Sequence, residues 1–548
     1  MFNKAISLLL CILMLINIFA SCERSSSIDT IDNETSTEAT TTASTTDTET
    51  LPDTETETEL ESESESVPIT ITDPPHFPGH YPDYPSHDIP DDRDYGGYEF
   101  IILADSTVSD NEFIEEADGD LITDTIITRQ EYTEEFLNVN LNIVVIDGGY
   151  RNAEKYAAEI SAASGAGCPY DLALAHNLIP PVLAAKGLCR DLAESTDLHL
   201  YQTDKPYWGK NILQEIAIGG RIFWTSDNAS LNNIRNMLCI FTNIEYFERI
   251  NERFVEYDLY SMVYNGLWTM ENMLVLAQNA YKNVSDEVEG VPVADDLDAY
   301  GIQASSSKDW LDTWFYAAGF KYTKLNANGV YEWTLNGTAE TEFISWWQSK
   351  LNDNDIYKQD GTTHKMFKEN RAMFALSNLG MTEEVEVNFT VLPLPLYNAK
   401  VKDSYSTPLS DGYSSWLIPR AARTEAFHRA STVIEVMASE SNRRVAPAYL
   451  EAYKRRTNSS YSNGDDMRKM FNTIRSSVVF DLGYLYGDTL SVEYIGIPND
   501  ESTVYFAIRN IWSGNGTGDY SDIETVWPKI KNTATTKLND LMTELTEY

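Results

Sequence analysis

The chain has 548 residues, of which 85 are acidic and 40 basic, for a formal charge of −45. Nucleic acid and anionic lipid headgroups both require a basic surface, so this balance excludes them as partners; solubility is its ordinary consequence. Five cysteines are too few for a disulfide scaffold in a chain this long, so the core must hold by packing.

The first residues set the compartment. Lys4 gives a short positive start, and residues 5–19 form an apolar run too short to span a bilayer comfortably, which reads as a signal peptide over 1–21. The run ends in Phe19-Ala20-Ser21-Cys22, which resembles a bacterial lipobox with Cys22 as the acylated first residue of the mature chain. A plain secretion signal or an uncleaved anchor is the alternative. With Cys22 acylated, Cys168, Cys189 and Cys239 remain, enough for one disulfide at most.

Residues 22–95 read as a disordered linker. Ser, Thr, Glu and Asp dominate to Val67, and a Pro/His/Tyr segment follows; neither buries enough apolar surface to offset the entropy of ordering. As a coil the segment spans on the order of 50 Å, the reach of a tether. His76, His80 and His87 match no zinc spacing.

About 450 residues remain, more than one core usually supports, so two lobes are expected. Residues 98–104 form an apolar run, as in a strand buried on both faces. Asp118-Gly119-Asp120 offers caps for a helix carrying Ile122, Ile126 and Phe136, and residues 141–146 make a second strand. A helix over 154–163 and a strand over 171–175 repeat the alternation, which predicts α/β layering with a largely parallel sheet.

The order of the next signals resembles extracellular solute-binding proteins of family 1, the maltose-binding type. Asp171-Leu172-Ala173-Leu174-Ala175-His176-Asn177 followed by Lys186-Gly187-Leu188-Cys189-Arg190-Asp191-Leu192 is similar to an early block of that family. Ile218-Gly219-Gly220-Arg221-Ile222-Phe223-Trp224 looks like its hairpin before the crossover. Trp268-Thr269-Met270-Glu271 and Phe367-Lys368-Glu369-Asn370-Arg371-Ala372 follow in the same order, with Asn370 in place of a usual glycine. Phe389-Thr390-Val391-Leu392-Pro393-Leu394-Pro395 and Gly412-Tyr413-Ser414-Ser415-Trp416 resemble the return to the first lobe. Val479-Phe480-Asp481-Leu482-Gly483 resembles only a subgroup.

The resemblance implies a type II periplasmic-binding fold, two α/β lobes joined by a hinge with ligand in the cleft between them. It places lobe 1 at about 96–230 and 386–440, lobe 2 at about 231–385, and a C-terminal helical region at 441–548, with hinges near 226–239 and 377–387. It further implies an extracellular, lipid-anchored monomer that needs no cofactor and delivers a small solute to ABC permease subunits. Sugars pack their C–H faces on aromatic rings and bond fixed polar groups, and the candidates are His176, Asn177, Trp224, Asp227, Trp310, Trp314, Asp411, Tyr413 and Trp416. For Trp310 and Trp314, four apart after Ser305-Ser306-Ser307, one ring is expected in the core and Trp310 on the ligand. Trp346-Trp347 reads mainly as core. A surface glycan-binding protein not coupled to a transporter remains the alternative.

No nucleophile elbow, H-E-x-x-H or G-x-x-x-x-G-K is present, and Gly514-Asn515-Gly516-Thr517-Gly518 lacks the lysine of a phosphate loop. With 85 acidic residues, carboxylate pairs arise by chance and do not indicate a glycosidase. An enzyme is not expected.

Overall fold

The computed structural model describes residues 85–547, with breaks at 150–151, 201–203, 210–214, 255–257, 281, 283–286, 289–290, 293–298, 305–311, 336–337, 352–356, 360–363, 400–403, 458–463, 488–489, 491–503 and 505–522. The leader, Cys22, the acidic stretch, His76, His80, Trp310 and the glycine-rich 514–518 segment lie outside the described residues.

In chain order the first lobe opens with β1 (Tyr98–Asp105), α1 (Leu121–Leu137), β2 (Val139–Ile146), α2 (Ala153–Ala166), β3 (Leu172–His176) and α3 (Ile179–Ala185). A short helix, α4 (Leu231–Arg235), leads to β4 (Leu238–Asn243), α5 (Ile244–Phe254), α6 (Met270–Ala280), β5 (Tyr300–Ala304) and α7 (Asp312–Ala317). Then come a hairpin of β6 (Thr323–Leu325) and β7 (Tyr331–Trp333), α8 (Thr338–Leu351), β8 (Tyr357–Gln359), β9 (Ala372–Asn378) and β10 (Phe389–Leu392). The chain closes with β11 (Ser414–Leu417), α9 (Thr424–Glu440), α10 (Ala446–Arg456), α11 (Gly464–Ser476), α12 (Leu482–Leu485) and α13 (Ile523–Glu547).

Local chemistry accounts for the early elements. The Asp120 carboxylate accepts from the N–H groups of Ile122 at 2.9 Å and Thr123 at 3.3 Å, capping α1. The helix ends at Asn138 with φ of 50°, a left-handed residue that asparagine tolerates. Ile218 and Arg221 exchange backbone bonds at 2.9 and 3.0 Å around Gly219 and Gly220. Both glycines have positive φ, 58° and 84°, the geometry of a two-residue hairpin turn.

The first sheet has the order β11-β3-β1-β2 and the second the order β8-β5-β9-β4-β10. Pairings are parallel except those of β11 with β3 and of β4 with β9 and β10. Each exceptional strand is the first one laid down after the chain enters that lobe. This is the two-lobed α/β architecture expected of the type II periplasmic-binding fold.

The chain passes between the lobes in two antiparallel strands of backbone. Met237 and Leu409 form a bridge, Leu238 N–H donates to the Pro408 carbonyl at 3.1 Å, and Ser410 N–H donates to that of Asn236 at 2.8 Å. The outgoing passage falls within the expected 226–239. The return does not fall at 377–387. β10 is still a strand of the second sheet, and residues 379–383 form a short 3-10 turn held to α4 by the Arg235–Glu383 ion pair at 2.7 Å. The second lobe therefore runs past residue 386, and the chain returns near 407–412.

The C-terminal helices tie both lobes. α9 and α10 are joined through a π turn, Ser441–Val445, and Arg129 of α1 donates to the Ser441 hydroxyl at 3.0 Å. Further along, Tyr449 donates to the Leu379 carbonyl at 2.7 Å and Val391 N–H to the Tyr453 hydroxyl at 3.0 Å, on the second lobe. α13 packs Trp527 on Trp333 of β7, with centroids 6.2 Å apart, and lays Thr546 beside Gly219 of the first lobe.

The expected linker ends sooner than Tyr95. Ile89 and His87 are buried, the His87 ring lies 4.7 Å from that of Phe136, Lys205 pairs with Asp88 at 2.8 Å, and Arg93 pairs with Asp197 at 3.1 Å. Residues 85–95 thus belong to the folded body, where apolar side chains and ion pairs offset their ordering. Cys168, Cys189 and Cys239 are all free thiols. Among the described residues no helix is long and apolar enough to cross a membrane.

Candidate cleft at the lobe junction

A cavity of about 40 Å³ lies where the lobes and the crossings meet. Four pieces of chain line it: Leu238 at the start of β4; Asp312, Thr313 and Tyr316 of α7; residues 408–413 of the return crossing; and residues 479–485 around α12. On the same measure one water needs roughly 10–15 Å³, so in this conformation the space takes one small polar group or a few waters.

The crossing side is built on Asn177 at the carboxyl end of β3, where α/β sheets gather ligands. Its side-chain amide donates to Asp411 Oδ1 at 3.2 Å, and its oxygen accepts from Gly412 N–H at 2.9 Å. Its own N–H donates to the Tyr413 carbonyl at 3.0 Å. Asp411 Oδ1 also accepts from the Tyr484 hydroxyl at 2.5 Å. His176 is buried beside this group, its N–H donating to Asp105 Oδ2 at 3.1 Å. Burial lowers the His176 pKa, and the carboxylates of Asp411 and Asp105 oppose that shift.

Segment 478–486 enters from the far end of the chain and joins the two walls. The Asp481 carboxylate accepts from the N–H groups of Tyr322 at 2.5 Å, Thr323 at 3.2 Å and Gly483 at 2.9 Å, and from the Thr323 hydroxyl at 2.9 Å. Burial pushes this carboxyl upward, and those bonds together with Lys321 oppose it. Phe480 packs its ring 6.4 Å from Trp224 and 6.0 Å from Tyr413, on the first-lobe side. Its N–H donates to Glu215 at 2.6 Å, and Glu215 pairs with Lys321 of the second lobe.

Of the residues expected to meet ligand, Asp411 and Tyr413 line the cavity, while His176 and Asn177 stand behind them. Trp224 faces Phe480 instead of open space. Trp416 is 2% exposed and meets Phe113 edge-on at 6.2 Å. Trp314 is 0% exposed, its ring 4.7 Å from that of Trp347 in the second-lobe core, so of the Trp310/Trp314 pair it is the core member. Asp227 turns inward: its carboxylate accepts from Ala229 and Ser230 N–H at 2.8 and 2.6 Å, in the turn before α4. These four side chains do not line the cavity; their apolar area or hydrogen bonds are taken up within the fold.

Sequence reasoning missed Asp312, Thr313, Tyr316, Phe480, Asp481 and Tyr484. The Asp312 group lies directly after the Trp310 region that was singled out, and Asp481 sits in the Val479-Phe480-Asp481-Leu482-Gly483 motif, which carried no role of its own. Two polar atoms among them are orphaned. Thr313 Oγ1 and Tyr316 Oη are buried, with their residues 1% and 7% exposed, and neither has a hydrogen-bond partner among the described residues.

The sequence matches no family model and no curated protein sequence. Solved structures similar to the chain include the substrate-binding protein Lmo0181 from Listeria monocytogenes in complex with cycloalternan. It is 10% identical, with 82% of this chain and 99% of that one covered at a TM-score of 0.46. The galacto-N-biose/lacto-N-biose I-binding protein of the ABC transporter from Bifidobacterium longum, in complex with lacto-N-biose, is 11% identical, with coverages of 82% and 98% and a TM-score of 0.48. The maltose/maltodextrin-binding domain from Bdellovibrio bacteriovorus bound to maltotriose is 12% identical, with coverages of 81% and 100% and a TM-score of 0.44.

Proposed function

We propose that the protein is an extracellular solute-binding lipoprotein that captures a small solute, a sugar or oligosaccharide, between its lobes and delivers it to an ABC importer. The observation that carries this reading is the cavity at the lobe junction. Its walls come from the second lobe, from the return crossing into the first and from segment 479–485, and it combines the rings of Tyr316, Tyr413, Phe480 and Tyr484 with polar groups of Asp312, Thr313 and Asp411. Rings for C–H faces and fixed polar groups for hydroxyls are what carbohydrate recognition requires.

Two antiparallel crossings paired at Met237 and Leu409 give a rotation axis beside the cavity. Opening about that axis admits the ligand, and closure is favoured only by as much as the ligand prefers the closed state. The leader, Cys22 and the acidic tether support a position outside the cell, held to the membrane through a lipid and clear of its surface. Cys22→Ser should release the protein into the medium, which immunoblotting of cell and medium fractions checks.

The direct experiment is a thermal-shift screen of the mature chain against mono- and oligosaccharides, amino acids, peptides and polyols. A ligand at 100 times its dissociation constant adds about 2.7 kcal/mol of stability, a shift of a few degrees for a protein of this size. A carbohydrate hit supports the reading. A hit confined to peptides or amino acids keeps the binding role and overturns the substrate class; silence across all classes counts against solute capture.

A further inference from the structure

We propose that Phe480 sets the length of sugar this site accepts: its ring closes the cavity on the side of Trp224 and restricts the solute to one or two sugar units. The inference rests on reading the lobe junction as a carbohydrate site and narrows its substrate class. Phe480 belongs to the cavity lining, whereas Trp224 does not. The Phe480 ring stands edge-on to Trp224, with centroids 6.4 Å apart and planes at 73°, and lies 6.0 Å from the ring of Tyr413. Behind it Trp224 is 1% exposed, and its indole is bonded to Tyr486. A phenyl ring and a pyranose are six-membered rings of similar breadth, and both pack on aromatic faces. Phe480 therefore holds the place beside Trp224 and Tyr413 that one more sugar unit would need.

A ring on a loose segment would give way to a longer ligand, but this segment is pinned at three points. Val479 N–H donates to the Thr407 carbonyl of the return crossing at 3.0 Å. Phe480 N–H donates to the Glu215 carboxylate of the first lobe at 2.6 Å. The Asp481 carboxylate accepts from the N–H groups of Tyr322 and Thr323 on the second lobe, at 2.5 and 3.2 Å. Two residues on, a Cβ at Gly483 would lie 2.7 Å from Thr323 Cγ2, so the chain there is already in close contact. Buried N–H groups that lose their acceptors are costly, which makes the segment a standing wall and not a flap.

The ring has nowhere to turn in this conformation either. The cavity of about 40 Å³ has room for a few waters at roughly 10–15 Å³ each, too little to receive a phenyl group. Once the lobes part, a short sugar fills the widened space against this wall. Further units of a longer chain extend through the mouth, where they gain no stacking partner at the Phe480 end and add little to affinity.

The test is calorimetry on the mature chain with mono-, di- and trisaccharides of glucose, galactose, mannose and xylose, for wild type, Phe480→Ala and Phe480→Leu. The three anchors use backbone groups and the Asp481 carboxylate, so both variants retain them. The expected wild-type affinity stops rising at or before the disaccharide, with a change of less than threefold at the next unit. In Phe480→Ala that next unit should tighten binding more than threefold, and Phe480→Leu should fall between. A merely structural role would change affinity equally at every length. That result, or a wild-type affinity that still rises more than threefold at the trisaccharide, overturns the length limit while leaving carbohydrate capture standing. Wild type binding none of these sugars overturns the site reading and the length limit with it. Where Phe480→Ala fails to fold, the wild-type length profile and Phe480→Leu decide the question.

Discussion

Asp481 concentrates more of the junction's hydrogen bonding than any residue singled out from the sequence, because four donors from two segments converge on its carboxylate. Asp481→Asn replaces one acceptor oxygen by a donor and leaves buried N–H groups of Tyr322 or Thr323 without partners. At about 1–3 kcal/mol for each orphaned group, the variant should lose roughly 2–4 kcal/mol in denaturant unfolding, and a loss under about 0.5 kcal/mol would contradict this account. Glu435 plays a similar part in the first lobe, accepting from His199 N–H at 3.0 Å, His199 Nδ1 at 2.9 Å, the Tyr207 hydroxyl at 2.6 Å and Trp208 Nε1 at 2.9 Å. The bond to Glu435 raises the His199 pKa above the usual 6.5. A raised value in the folded state means that the added stability is complete below pH 6.5 and fades as the pH climbs through the folded value. The melting-temperature gap between wild type and His199→Asn should therefore be wider at pH 5.5 than at pH 8.5; a gap that grows with pH would refute the pairing. Residue roles were the least legible part of the sequence. All four of Asp411, Tyr413, Trp224 and Trp416 read as ligand candidates; the first two line the cavity, while Trp224 and Trp416 are covered by Phe480 and Phe113, partners that lie far away in the chain. Asn370 was readable: it stands where the resemblance expects glycine and adopts φ of 60°, with its side chain accepting from Asn243 at 2.7 Å and donating to Glu245 at 2.9 Å.

At the scale of elements, the first lobe was legible where local chemistry governs. The apolar run of β1, the Asp120 cap and the glycine hairpin at 219–220 each specify their own geometry within a few residues. The return crossing was not legible, because β10 carries the same apolar pattern whether its partner strand belongs to one sheet or the other; only pairing with β4 assigns it. Packing of α6 on β5 illustrates a constraint of the same long-range kind. A Cβ at Gly301 would sit 2.3 Å from the Ala277 carbonyl oxygen of α6, so the helix lies against bare backbone. Gly301→Ala must push the helix off its strand, at a cost of about 1–3 kcal/mol. Urea unfolding measures this, and an unchanged midpoint would mean that helix and strand are not in the contact described.

Over the whole molecule, the lobes are joined by more than the paired crossings. Segment 478–486 holds Trp224 and Tyr413 on one side and Tyr322 and Thr323 on the other, while α10 and α13 each touch both lobes. Rotation is therefore expected about an axis close to Met237 and Leu409, with the other ties limiting its amplitude. The composition made the two-lobed plan legible through size alone, but these added ties come from pairings across hundreds of residues and had no local signal.

The central claim is that ligand draws the two lobes together at their junction. Spin labels at Lys155→Cys on the first lobe and Glu271→Cys on the second, both at exposed positions, in a Cys168→Ser background, report that movement directly by pulsed electron resonance. The account predicts a broad or longer distance without ligand that shortens and narrows on saturation with the carbohydrate identified by the screen. A distance distribution unchanged by a ligand that calorimetry shows to be bound would contradict capture by closure.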